Sequence, residues 1–150
     1  MQNSYHEHGV RFQYPSHWEL TERQSPNEVT ITVSSPETSF WSLVMFFDRP
    51  SPENLIESAI GAFREEYDEI DVYPAEAMLC ARTNVARDVE FVCLDLINSA
   101  FVRAFQTSLF SALILYQGTD CELEESKEIL ESISASLHCD GDAAIFESSR

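Results

Sequence analysis

The chain has 150 residues, 44% of them apolar and 23% charged, with 26 acids against 9 bases and a formal net charge of −17. That length suits one domain with a sizeable core, and the apolar content argues against disorder. The charge argues against nucleic acid and against an anionic membrane surface, since both need clustered Lys and Arg.

The opening stretch, MQNSYHEHG, is polar and carries neither the basic n-region nor the apolar h-region of a secretory signal. No apolar run approaches the ~20 residues that span a bilayer. A cytoplasmic protein without membrane insertion is therefore expected, with residues 1–8 as a flexible N-terminus. His6 and His8 could share one side of a strand and hold a metal loosely, but no third ligand is visible at useful spacing. No metal and no cofactor is expected.

RFQYPSHWEL (11–20) then gives two short extended pieces broken by a corner, because Pro15 fixes its own φ and pushes Tyr14 out of the helical region. EVTITV (28–33) alternates as a strand does, with Val29, Ile31 and Val33 on one face. FWSLVMFF (40–47) is almost continuously apolar, as in a strand covered on both faces. The period changes at SPENLIESAIGAFREEY (51–67). Ser51 can cap a helix there, Pro52 suits its first position, and Leu55, Ile56, Ala59, Ile60, Phe63 and Tyr67 form an apolar stripe. Gly61 inside that helix suggests a close contact.

From 69 to 117 strand patterns return: EIDVYP, AMLCAR, RDVEFVCLDLI, AFVRAFQ and LFSALILYQ. Turns at Asn98-Ser99 and Thr107-Ser108 make the last three an antiparallel meander, with Ile97 facing Ala100 and Gln106 facing Leu109. One face then carries Val92, Leu94, Leu96, Phe101, Phe105, Phe110 and Ile114. The other carries Phe91, Cys93, Ile97, Ala100, Val102, Ala104, Leu113 and Leu115. Both faces are mostly apolar, so something covers each. In AMLCAR, a loop at TNVA (83–86) would set Cys80 opposite Val89 and leave Cys80 and Cys93 apart. No C-x-x-C occurs, and four reduced thiols (Cys80, Cys93, Cys121, Cys139) are expected. TDCELEESKEILESISASL (119–137) is a second amphipathic helix, with Thr119 and Glu122 at capping-box spacing. Residues 138–150 are acidic and aperiodic, and a flexible tail is expected.

GVRFQYPSHWEL places Gly9, Phe12, Pro15 and Trp18 at Gly-x-x-aromatic-x-x-Pro-x-x-Trp spacing, and ESKEILESISASL closes the pattern. Over roughly residues 9 to 137 this resembles the PsbP-like superfamily. That group includes the extrinsic PsbP subunit of photosystem II, the Ran-binding Mog protein, and bacterial proteins of unassigned role, some of them adaptors for secreted effectors. The expected fold is α+β: a three-layer α/β/α sandwich with a central antiparallel sheet of about six or seven strands and two main helices. The superfamily shares no activity, so the resemblance implies no catalytic residue.

Catalytic motifs are absent: there is no G-x-S-x-G, Walker loop, G-x-G-x-x-G or H-E-x-x-H. Cys121 lies near a helix N-terminus, but Asp120, Glu122, Glu124 and Glu125 oppose thiolate formation. Two charges interrupt the apolar faces, Asp95 and Arg103; each must be paired or lie near an opening. Arg103 is read first as one half of a structural ion pair, with a helix Glu as the expected partner, and second as the greeter of an acidic ligand in a cleft. Trp18 and His17 are read first as a packed corner and second as an anchor for a partner. These three residues, Arg103, Trp18 and His17, are the candidate partner or ligand contacts. The expected function is a non-catalytic protein-binding module, an adaptor or regulatory domain acting as a monomer or weak dimer. The alternative is a small-molecule binder or enzyme with a cleft near Arg103. The acidity serves solubility first and a basic protein partner second.

Overall fold

The computed structural model describes residues 1–76, 78–79 and 82–139. Cys80 and residues 140–150 of the expected tail lie outside them. In chain order the elements are β1 (Gln2–Glu7), β2 (Val10–Pro15), β3 (Glu19–Ser25), β4 (Glu28–Ser34), β5 (Phe40–Phe46), α1 (Pro52–Glu66), β6 (Ile70–Ala75), β7 (Met78–Leu79), β8 (Arg82–Thr83), β9 (Val85–Cys93), β10 (Leu96–Gln106), β11 (Ser111–Thr119), α2 (Asp120–Ala135) and β12 (His138–Cys139). Seven strands form one antiparallel sheet in the order β3-β4-β5-β11-β10-β9-β6. A second sheet runs β1-β2-β12.

Alternation along β10 decides where the helices go, because successive side chains point to opposite faces. Ala100, Val102 and Ala104 pack with Leu55, Ile56 and Phe63 of α1. Phe101 and Phe105 point the other way, into a larger core with Leu123, Leu130 and Ile133 of α2. One helix thus covers each face, and the fold is the expected α+β sandwich around an antiparallel sheet. The layer that holds α2 also holds the small sheet, whose Tyr5, Val10, Phe12 and Cys139 join the same core.

Residues 1–8 differ from expectation. β1 pairs with β2 over six rungs, from Gln2↔Pro15 to Glu7↔Val10. One anchor accounts for this: Tyr5 is buried, its ring stacks on Phe12 at 5.1 Å, and its hydroxyl donates to Glu22 of β3. A single aromatic in a polar string leaves little periodic signal. His138 and Cys139, expected to open the tail, pair with Arg11 and Val10 as β12.

The double cover expected for β5 is incomplete. Trp41, Leu43 and Met45 are fully buried toward α2, but Phe40, Ser42, Val44 and Phe46 are only half-buried, because α1 lies over β9, β10 and β11. The expected close contact at Gly61 is not there either, since a Cβ at that position would meet nothing within 4 Å. Gly118 does have one: a Cβ there would lie 2.4 Å from the hydroxyl of the buried Ser39.

Both meander turns move. β9 and β10 join through Leu94 and Asp95, with Cys93 facing Leu96, so Asn98 and Ser99 lie within β10. β10 and β11 join through Thr107–Phe110, with Gln106 facing Ser111. There the Thr107 hydroxyl accepts from the Leu109 and Phe110 amides, both at 3.1 Å. TNVA is no hairpin loop to β9: Leu79 pairs with Arg82, and Val89 pairs with Val72 and Ala100.

Candidate functional site

Arg103 reaches the surface of the sheet from β10 between Phe101 and Phe105. It is 8% exposed, and its Nη1 donates to Asp88 Oδ1 at 2.9 Å and to the carbonyls of Arg87 and Val102 at 3.1 Å. The partner carboxylate is thus a neighbouring strand's, not a helix Glu. The guanidinium carbon lies 5.9 Å from the Phe101 centroid, and the Lys127 ammonium lies 5.0 Å from the same ring. Phe101 also stacks on Tyr116 at 4.9 Å. Burial pushes the Tyr116 hydroxyl up to about 12 against the opposing pull of Arg103. This cluster locks β9, β10 and β11 together beneath α2.

His17 and Trp18 lie elsewhere, at the corner between β2 and β3. The Trp18 amide donates to the Pro15 carbonyl at 3.1 Å, closing a turn. Trp18 is buried in the α2-side core and His17 is exposed. Two open grooves flank the corner along α2, of about 500 and 410 Å³. The first touches His17, Glu128 and Ile129, and the second touches His17, Trp18, Glu37 and Glu125. Neither groove includes Arg103. Carboxylates border both grooves.

The wall of the second groove is a clasp. Thr119 caps α2 by accepting from the Glu122 amide at 3.2 Å. The Glu122 carboxylate, however, reaches across to the β4–β5 loop, accepting from the Thr38 hydroxyl and from the Thr38 and Ser39 amides at 3.0 Å. Burial alone would raise this carboxyl; the bonds from Thr38, Ser39 and Thr119 outweigh it and hold it below the usual glutamate value.

His6 and His8 are not together on a strand, because His8 occupies the β1–β2 turn with φ of 56°. Its Nε2 lies 3.5 Å from Glu22 Oε2, and Glu7 completes a group of three potential metal donors. Glu22 also accepts from Tyr5 and Gln24, and those two bonds, with His8, lower its carboxyl. This set fastens the small sheet to β3.

The feature that the sequence reading missed is an open corner. β6 and the outer half of β9 lie beyond α2. By register, Asp71 and Tyr73 of β6, Glu90 and Val92 of β9, and Ile97 of β10 share the α2-side face there. The β9–β10 hairpin projects past them. Five of the eight exposed large hydrophobics among the described residues gather in this region: Tyr73, Val92, Leu94, Leu96 and Ile97, with Leu94 91% exposed. Scattered apolar side chains need no explanation, but a cluster does. Leu94 and Asp95 both have positive φ, 52° and 65°. That conformation suits Asn or Gly and is unfavourable for Leu. The available signal was CLDLI itself, two apolar pairs, one on either side of an Asp. It read as buried strand because Asn98-Ser99 offered better turn chemistry.

No protein-family model and no curated protein sequence matches the chain. Solved structures do share its fold. LpqN of Mycobacterium tuberculosis, described as involved in cell envelope biogenesis, superposes with a TM-score of 0.51 at 10% identity, covering 92% of this chain and 90% of its own. A Bacteroides thetaiotaomicron protein superposes with a TM-score of 0.56 at 12% identity; 87% of this chain matches 45% of that one. The chain therefore spans less than half of the second neighbour. At these identities the likeness shows the fold alone. No helix among the described residues is long and apolar enough to cross a membrane.

Proposed function

We propose that this chain is a non-catalytic protein-binding module of PsbP-like architecture, working in the cytoplasm as an adaptor or regulatory domain. The observation that carries the reading is the open corner: Val92, Leu94, Leu96 and Ile97 stand exposed together at one end of the sheet. Exposed apolar clusters of this kind mark association surfaces. Backbone strain at Leu94 supports it, because an unfavourable conformation that presents a large apolar side chain to solvent has no use within the fold. The small-molecule alternative has less support, since the Arg103 Nη1 donates to Asp88 and to two carbonyls.

A photo-reactive amino acid at Leu94, introduced in the native host, tests the proposal. A defined protein should crosslink there and not at Glu124, which is exposed on α2. Crosslinking that is equal at both positions, or substrate turnover that disappears with Arg103→Ala at unchanged stability, would overturn it.

A further inference from the structure

We infer that the open face of β6, β9 and β10 receives a basic, extended segment of the partner protein, its Lys or Arg side chains on Asp71 and Glu90 and its apolar side chains on Val92 and Ile97. The inference rests on the protein-binding reading and adds the chemistry of the partner.

Register supplies the first reason. Asp71 and Glu90 are direct cross-strand partners on this face. Like charges placed opposite each other in a sheet repel. No basic side chain among the described residues pairs with either carboxylate. The neighbouring Tyr73 feels the same field: Glu90 and then Asp71 push its exposed hydroxyl up. A cation from outside the chain would relieve the repulsion. Arg103 does not, because its bond runs to Asp88, one step further along β9.

The second reason is spacing. Val92 and Ile97 form the next same-face pair toward the hairpin. Same-face neighbours along a strand are ~6.8 Å apart, and an extended peptide repeats its same-side chains at the same interval. A segment laid along β9 with a basic residue and an apolar residue two positions apart therefore meets the acidic pair and the apolar pair together. A second copy of this chain fits poorly, since each carries a net charge of −17. An anionic lipid surface fits poorly for the same reason.

Fluorescent nine-residue peptides alternating Lys with Val, and Glu with Val, provide the test. They are titrated by anisotropy against the full chain and three double variants: Asp71→Asn with Glu90→Gln, Val92→Ser with Ile97→Ser, and Glu124→Gln with Glu128→Gln. The first and third variants lose the same net charge, which separates a local site from the global field. Circular dichroism and the thermal midpoint establish that each variant is folded. The Lys peptide should bind, with Kd raised about tenfold or more by either corner variant and less than twofold by the α2 variant, in line with removal of about 1.4 kcal/mol or more. The Glu peptide should not bind. Equal losses from the two charge variants, no loss from either corner variant, or dimerisation abolished by Val92→Ser with Ile97→Ser would overturn the inference. So would binding to lipid vesicles that Leu94→Ser abolishes. Where the inference fails but the Leu94 crosslink to a protein persists, the protein-binding reading survives with a partner of different chemistry.

Discussion

Leu94 sets stability against exposure in one residue. A two-residue hairpin turn of this kind needs φ above zero at both centres, which Asn tolerates and Leu does not. Leu94→Asn should therefore stabilise the fold by about 1 kcal/mol, raising the thermal midpoint by roughly 3 °C. The same substitution should weaken crosslinking or capture of the partner. A lower midpoint would refute the strain argument. At the sequence level this site was hidden for a physical reason: local turn propensity pointed to Asn98-Ser99, and nine rungs of pairing between β9 and β10 outweighed it. Two glutamates make a second residue-scale prediction. Glu22 and Glu122 are both held below the ordinary value of 4.5 by hydrogen bonds to their charged forms. Their contribution is fully present above that value and is lost as pH falls through the lower folded-state value. Urea midpoints measured from about pH 6 down to pH 3 should fall, and less steeply in Glu22→Gln and Glu122→Gln. Acid limbs parallel to that of the unmodified chain would count against these bonds.

Elements were legible wherever periodicity was strong. Both helices, with their Ser51 and Thr119 caps, follow from spacing and cap chemistry. The meander turns were misplaced, yet the faces of Phe91, Val102, Phe105 and Ile114 were right. The reason is that both pairings shift by an even number of residues, Gln106 facing Ser111 in place of Leu109 and Ala100 facing Val89 in place of Ile97, and an even shift preserves which face a side chain takes. Leu94 and Asp95 left the strand for a turn, Leu96 and Ile97 moved from one strand to the next, Asn98 and Ser99 left the turn for β10, and Leu109 and Phe110 left the strand for the β10–β11 turn. β1 escaped because Tyr5 is its only buried side chain. The two glycines of the helical and sheet interiors separate propensity from packing. Gly61→Ala adds a methyl group into open space within α1, so it should stabilise by about 0.5–1 kcal/mol. Gly118→Ala drives a Cβ into the Ser39 hydroxyl, which itself donates to Glu122 at 3.0 Å. It should destabilise by about 1–3 kcal/mol and loosen the α2 clasp. Denaturant midpoints that move the same way for both variants would contradict this assignment.

At the scale of the whole molecule, charge acts on folding and on association with opposite signs. With 26 acids against 9 bases, most of the acids have no basic side chain of their own to pair with. Self-repulsion at a net charge of −17 destabilises the compact state. Salt screens that repulsion over a Debye length of about 10 Å at 0.1 M. Raising the ionic strength from about 0.01 M to 0.15 M should therefore raise the thermal midpoint at neutral pH. Binding to a basic segment should respond the other way, because opposite charges at an exposed face act mainly on the association rate, which screening lowers. The dissociation rate, governed by desolvated contacts at Val92 and Ile97, should change little. Stopped-flow binding of the Lys-Val peptide beside thermal melts in the same buffers reads both effects from one sample series. A midpoint that falls with salt would remove the self-repulsion argument. An association rate indifferent to salt would remove the role of Asp71 and Glu90 in steering the partner, whatever the apolar corner contributes.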